Sequence, residues 1–162
     1  MNVIIDYDIY YEIGYFINDK NEKYKHLIIW RRENKAFVRE LDMISKSDVT
    51  NTDFEGIDAA RDEWNDLCSS HNASDLVNSL YTENAIYYND GALFVGRTAI
   101  TSRYSVIESP SVSFIITPII CEPVKNNIYF EIGQGSGAYN GKYAIIWKKI
   151  NSNWEILLDS ND

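Results

Sequence analysis

Carboxylates set between aromatic and aliphatic neighbours are the side chains of this sequence best suited to chemistry. Glu131 lies in Phe130-Glu131-Ile132 and Glu12 in Tyr11-Glu12-Ile13. An acid enclosed by such neighbours loses hydration, its pKa rises, and it can exchange a proton near neutrality. Strand periodicity argues against enclosure. Phe130 and Ile132 claim the apolar side of a period-two strand, so Glu131 is expected on the solvent side. Asp159 and Asp42 form a second related pair, expected to close the end of a sheet rather than to catalyse. Trp64, Tyr87, Phe94, Phe114, Tyr143 and Trp147 are spaced to line an apolar ligand pocket, although the same spacing serves a filled core.

Other chemistries find little support. Cys68 and Cys121 are the only cysteines and have no metal-type spacing, so two reduced, packed thiols are expected. His26 and His71 are far apart and lack ligand spacing, which disfavours a metal site. Gly133-Gln134-Gly135-Ser136-Gly137 has the look of a phosphate loop, but no helix follows to supply the dipole such loops use. No Ser-His-Asp or Cys-His order stands out. No cofactor is expected.

The 162 residues suffice for one domain of ordinary size, and 45% hydrophobic with 14% aromatic content predicts a folded chain. Twelve tyrosines suit half-buried strands and wet-edged pockets. A net charge of −9, with Lys and Arg never clustered beyond pairs, argues against nucleic acid or an anionic membrane as partner. Acids interrupt the apolar residues of the first stretch and no basic run precedes it. That is neither a signal peptide nor a membrane span, and a cytoplasmic protein is expected.

The element pattern is β-rich with helices in the middle. Residues 2–17 read as one long strand bent near Asp6 to Asp8, 24–32 and 36–44 as two more, and 45–52 as a linker. Thr52-x-x-Glu55 has the form of a capping box. Phe54, Ile57, Ala60, Trp64, Leu67 and Cys68 follow at helical spacing. Ser74 or Asn72 can cap a second helix ending near Tyr81. Short strands at 85–88 and 93–95 flank the turn Asn89-Asp90-Gly91. Thr98 to Ile107 reads as a third helix, and 112–121 and 127–136 as long strands. Asn140-Gly141 predicts a tight hairpin with positive φ at both residues. Tyr143, Ile145 and Trp147 then share one face, as do Trp154, Ile156 and Leu158 on the last strand.

The ends of the chain resemble each other. Tyr11-Glu12-Ile13-Gly14 and Lys23-Tyr24 match Phe130-Glu131-Ile132-Gly133 and Lys142-Tyr143, 119 residues on. Ile28-Ile29-Trp30, Asn34, Phe37, Leu41 and Asp42 match Ile145-Ile146-Trp147, Asn151, Trp154, Leu158 and Asp159, 117 residues on. The expectation is a duplicated three-strand meander: residues 1–48 form a partial repeat, and 53–162 form the main domain. The meander is expected to pack on the main domain or on a symmetry mate, because three strands tolerate a wet apolar face poorly.

Three stretches carry a family resemblance. They are Leu80-Tyr81-Thr82-Glu83-Asn84-Ala85 leading into Tyr87-Tyr88-Asn89-Asp90, then Gly96-Arg97-Thr98-Ala99-Ile100, and the run from Gly141-Lys142-Tyr143 through Trp147 to Trp154-Glu155-Ile156 and Asp159. In order and spacing, 53–162 resembles the nuclear transport factor 2-like superfamily, with its SnoaL-like cyclases and ketosteroid isomerases. The resemblance implies an α+β fold in which a strongly curved antiparallel sheet wraps the first helix into a cone. It also implies sites. The isomerase base, an Asp after the Tyr-x-x-x-Ala motif, falls on Asn89, which cannot accept a proton. Asp90 is one residue along, and a strand would aim it away. The isomerase's helix Tyr falls on Asn65. The expected function is therefore binding of a small apolar ligand, with Asn89 among the pocket residues, or self-association as a homodimer. The alternative is an isomerase, cyclase or dehydratase using Asp90 or Glu131.

Overall fold

Two sheets and a helical layer stack in the order helices, six-stranded sheet, four-stranded sheet. The computed structural model describes residues 1–6, 8–50 and 56–161. β1 (Asn2–Asp6), β2 (Ile9–Ile17), β3 (Lys23–Glu33) and β4 (Ala36–Lys46) pair in chain order as an antiparallel sheet. The stretch 2–17 is thus two strands rather than one bent strand: Asp6 pairs with Ile9, and the polar residues expected to bend it make a hairpin. The meander has four strands, not three.

Helices α1 (Ile57–Ser69) and α2 (Ala73–Leu80) follow, then β5 (Tyr81–Asn89), β6 (Ala92–Val95) and α3 (Arg97–Tyr104), which tightens into a 3-10 turn over Ser105–Glu108. β7 (Phe114–Lys125), β8 (Ile128–Gly137), β9 (Lys142–Ile150) and β10 (Asn153–Asn161) complete the chain. The sheet order is β6-β5-β10-β9-β8-β7, with β10 parallel to β5 and the other pairs antiparallel. The Thr52–Glu55 capping box lies outside the described residues. Asn72 rather than Ser74 caps α2, its Oδ1 accepting from the Asp75 amide at 3.0 Å. Among the described residues no helix is long and apolar enough to cross a membrane.

Each face of the six-stranded sheet is buried for a different reason. The inner face meets the helices: Ile57, Trp64, Leu76, Leu80, Ile100 and Ile107 close on Tyr129, Ile145, Trp147 and Ile156. The back meets the four-stranded sheet: Ile9, Tyr11, Ile13, Leu27 and Ile29 close on Phe130, Ile132, Ala144, Ile146 and Leu158. The first four strands therefore cover the main sheet within one chain. Lys25 pairs with Glu122 at 2.7 Å, and Tyr11 Oη donates to the Lys142 carbonyl at 3.2 Å.

Turns decide register. Asp90 and Gly91 take φ of 48° and 74° while Asn89 pairs with Ala92, which makes the tight hairpin read from Asn89-Asp90-Gly91. Asn140 and Gly141 do not adopt positive φ. That connection is a wider loop, with Gly137 at φ 112°, where a Cβ would lie 2.0 Å from the Ser113 carbonyl oxygen.

The two ends of the chain share register in detail. Glu12 pairs with Ile28 and Glu131 with Ile145. Ile28 pairs with Asp42 and Ile145 with Asp159. One extra residue bulges from each last strand, Glu40 in β4 and Leu157 in β10. Asn34 and Asn151 turn the chain at φ 58° and 57°. Gly14 sits opposite His26 as Gly133 sits opposite Tyr143. The two-residue change of offset thus falls in the turn after β2, and His26, not Tyr24, takes the place of Tyr143.

Candidate functional site

Between α1, α3 and the inner face of the sheet lies a cavity of about 210 Å³. β5 brings Tyr87 and Asn89 to it, α1 brings Trp64, α3 brings Arg103 and Tyr104, β7 brings Phe114, and β9 brings Tyr143. Asp159 and Asn161 come from β10 because of its bulge. Alternation from Trp154 and Ile156 would send Leu158 inward. The extra residue reverses the parity, so Leu158 enters the core between the sheets and Asp159 faces inward opposite Ile145.

Asp159 is 3% exposed, at the floor of this cavity. Tyr104 Oη donates to its Oδ2 at 2.6 Å, and Tyr81 Oη lies 2.7 Å from the same oxygen. The two phenol oxygens are 3.0 Å apart, and Trp64 Nε1 points at Tyr81 Oη from 3.4 Å. Two phenol protons fill two of these three oxygen–oxygen contacts when Asp159 is ionised, and the third is filled when Asp159 holds a proton. Burial pushes the Asp159 carboxyl above its ordinary range, against the hydrogen bonds from Tyr104, Tyr81 and the Ser160 backbone, which favour the anion. Burial, then the nearby Asp159 charge, pushes the Tyr81 and Tyr104 hydroxyls well up, so both stay neutral donors.

The raised carboxyl has a consequence for stability. Between the ordinary Asp pKa and the folded value, the folded protein holds a proton that the unfolded chain has released. Stability therefore falls as pH rises through that window, by at most about 1.4 kcal/mol per pH unit, and the penalty is absent below it. Asp159→Asn keeps an oxygen that both tyrosines can address and removes the titration. Urea unfolding from pH 4 upward should show the variant gaining on the wild type as pH rises. Parallel curves would mean that Asp159 is ionised in the folded state with an ordinary pKa.

A second polar set lines the cavity wall. Arg103 donates to Asn89 Oδ1 through Nε at 3.0 Å and a terminal nitrogen at 2.5 Å. Asn89 Nδ2 in turn donates to Asn161 Oδ1 at 2.8 Å, which also accepts from Tyr87 Oη at 2.7 Å. The neutral amide of Asn89 is thus held in the cavity and oriented by an arginine. Asp90, by contrast, sits in the exposed β5–β6 turn. Asn65 ties α1 to β7 through both the amide and the carbonyl of Ile116, at 2.9 and 3.3 Å.

Glu131 is not on the solvent side as its neighbours suggested; it is fully buried. The four-stranded sheet covers the back of β8, so Phe130 and Ile132 fill that core and Glu131 turns inward. Arg61 donates to its two oxygens at 3.2 and 2.7 Å, Tyr143 Oη to Oε1 at 2.8 Å and Trp147 Nε1 to Oε2 at 3.0 Å. Each oxygen thus accepts twice, leaving no lone pair for a substrate. Burial opposes the Arg61 charge, but hydrogen bonds and Coulombic attraction from Glu131, with Asp58 beside it, hold that guanidinium above its usual range.

Of the residues read as pocket candidates, Trp64, Tyr87, Asn89, Phe114 and Tyr143 line the cavity. Trp147 is buried beneath its wall beside Glu131, and Phe94 packs behind Tyr87 with ring centroids 6.0 Å apart. Sequence reasoning misses Tyr104, Arg103 and Asn161 as site residues, and meets Tyr81 only as part of the Tyr-x-x-x-Ala motif; that motif and the helix predicted over 98–107, which carries Tyr104, are the available signals. Among the described residues no three His, Cys, Asp or Glu side chains are placed to hold a metal.

No protein-family model matches the sequence, and no curated protein sequence does. Solved structures do. An NTF-2-like protein of unknown function from Shewanella oneidensis superposes with TM-score 0.57 and 14% identity over 64% of this chain and 93% of that one. A provisionally assigned scytalone dehydratase from Novosphingobium aromaticivorans gives TM-score 0.56 and 14% identity over 65% and 79%. A provisionally assigned calcium/calmodulin-dependent protein kinase II association domain from Xanthomonas campestris gives 0.56 and 12% over 73% and 94%. At such identities the shared property is architecture. The chain has the nuclear transport factor 2-like, cystatin-like fold, with a further four-stranded sheet laid on the back of its main sheet.

Proposed function

We propose that the cavity binds a small, largely apolar molecule with one ring or a compact ring system and an oxygen that meets Asp159. The observation that carries this reading is a buried carboxyl, met by two tyrosine hydroxyls and with its pKa raised by burial, at the floor of an aromatic cavity. The volume is below the roughly 300–1,000 Å³ of drug-sized sites, so the ligand is smaller than a drug. Trp64, Tyr87, Phe114 and Tyr143 supply apolar and aromatic walls. Asn89, Asn161 and Arg103 supply polar contacts for a second substituent. The same reading treats 1–48 as a partial repeat of the main domain's last strands, supported by the shared register and bulges, and includes self-association.

A second reading is catalysis, favoured by the Asp159–Tyr81–Tyr104 ring. A neutral carboxyl beside two phenols can donate a hydrogen bond or a proton to a carbonyl oxygen, which suits an isomerase, cyclase or dehydratase. One structural neighbour bears the name of a dehydratase and another that of an association domain, so the architecture alone does not choose.

Single-ring phenols and aryl ketones, titrated against Trp fluorescence and melting temperature, test the binding. Val106 is 48% exposed and lines the cavity, so Val106→Trp should narrow the entrance without disturbing the core. The expected result is saturable binding to the wild type, weakened at least tenfold in Val106→Trp. Equal binding by both proteins would place the ligand elsewhere. For the second reading, Asp159→Asn should keep binding and lose turnover; unchanged turnover would remove Asp159 from the chemistry.

A further inference from the structure

The matching registers raise a question about the sheet that has no helices. In the main domain, the face carrying Glu131, Tyr143, Trp147 and Asp159 is covered by α1. The corresponding face of the four-stranded sheet carries Glu12, His26, Trp30 and Asp42. Nothing in the chain's described residues lies over it. Val3, Phe16, Phe37 and Ile44 stand on this face at 45%, 40%, 54% and 52% exposure, beside Tyr10 and Tyr24. Tyr10 meets Phe37 edge-on at 4.6 Å, and Phe16 stacks on Tyr24 at 5.3 Å, so the apolar side chains form joined clusters.

The polar centre of this face is already arranged for burial. Trp30 Nε1 donates to one Glu12 oxygen at 3.0 Å, and His26 Nε2 lies 2.9 Å from the other. That repeats the way Trp147 and Tyr143 hold Glu131, which is fully buried. A carboxylate with both oxygens engaged can be covered at far lower cost than a bare one. Most of the exposed charges come as internal pairs of opposite sign, Arg39 with Asp42 at 2.9 Å and Lys46 with Glu22, with Arg32 opposite Phe37 beside them. The face therefore brings no large charge of one sign to a contact.

We propose that this face is the interface of a two-fold homodimer, seated on the same face of a second copy. The proposal rests on the self-association reading above and names its surface. Strands of 5, 9, 11 and 11 residues, at roughly 3.3 Å per residue and about 4.8 Å apart, present roughly 570 Å². Two copies together bury about 1,100 Å², above the roughly 1,000 Å² a specific interface needs and at the small, dissociable end of the range. Charge distribution sets the orientation in which two copies meet. The exposed acids of α1, Asp58, Asp62, Glu63 and Asp66, lie in the helical layer, on the far side of both sheets. A chain of net charge −9 meets its copy with least repulsion through the layer farthest from those acids. Two such sheets pack face to face about 10 Å apart, as in a sandwich. Trp30, Phe37 and Ile44 supply its apolar contacts.

Sedimentation of the full chain across about 1–100 μM tests this, spanning dissociation constants worth about −8.2 to −5.5 kcal/mol. The expected result is a dimer that dissociates on dilution. Phe37 and Ile44 belong to neither buried core, so Phe37→Asp with Ile44→Asp should leave the fold intact by circular dichroism and weaken the dimer at least a hundredfold. A wild type that stays monomeric at 100 μM would overturn the proposal and leave this face to a different protein. A variant that dimerises like the wild type would overturn it by placing the interface elsewhere. Failure of the cavity reading is separable: Val106→Trp should leave sedimentation unchanged, and the Phe37/Ile44 variant should leave cavity binding unchanged.

Discussion

Removing residues 1–48 is expected to leave a main domain that does not remain folded and soluble. The deletion strips the back of the six-stranded sheet, where Phe130, Ile132, Ala144, Ile146 and Leu158 are each no more than 1% exposed. Burying one large aliphatic or aromatic side chain contributes about 1.5–3 kcal/mol. Phe130, Ile132, Ile146 and Leu158 together thus represent about 6–12 kcal/mol, as much as the whole stability of an ordinary domain. Newly exposed strand faces would also drive aggregation. The measurement is the soluble yield and thermal unfolding of 49–162 beside the full chain. A cooperative transition at the full chain's temperature would show that the first four strands are an independent appendage.

Arg61→Met is the second large effect. Arg61 is 5% exposed, and its guanidinium supplies two of the four hydrogen bonds from Arg61, Tyr143 and Trp147 that hold Glu131, besides its contact with Asp58 at 2.6 Å. Methionine keeps the stem's packing and leaves a buried carboxylate with only Tyr143 and Trp147. Removing one partner of a buried ion pair costs about 3–5 kcal/mol. For a domain of this size, that lowers the melting temperature by roughly 6–20 °C. Adding Glu131→Gln removes the orphaned charge and should recover part of the loss. If the double variant were as unstable as the sum of two single losses, the pair would not be coupled, and the Arg61 effect would be one of packing alone.

The two experiments probe layers that the sequence disclosed unequally. The order of helices and strands was readable from periodicity, because apolar residues recur at helical spacing through Ile57, Trp64 and Cys68 and the late strands alternate. Asn151 and Asp90-Gly91 announced their turns through residues that tolerate positive φ. Asn140-Gly141 misled, because a wide loop with its left-handed residue at Gly137 replaced the tight one. The two-residue change of offset between the two ends lay in a turn, so matching Tyr24 to Tyr143 hid the matching register position of His26.

The candidate site was less legible, for two physical reasons. Alternation assigns a side chain to a face only when one face is wet. The second sheet makes both faces of β8 dry, so Phe130 and Ile132 no longer imply an exposed Glu131. Alternation also presumes an unbroken register. The single extra residue at Leu157 reverses the parity of β10 and carries Asp159 into the cavity. Residue types and spacings by themselves determined the elements, their order, the likeness in sequence of the two ends and five of the residues that line the cavity. Only the tertiary structure decided which carboxyl is enclosed with a raised pKa and which is locked in an ion pair, because burial and bulge register depend on what lies across the sheet, not on neighbours along the chain.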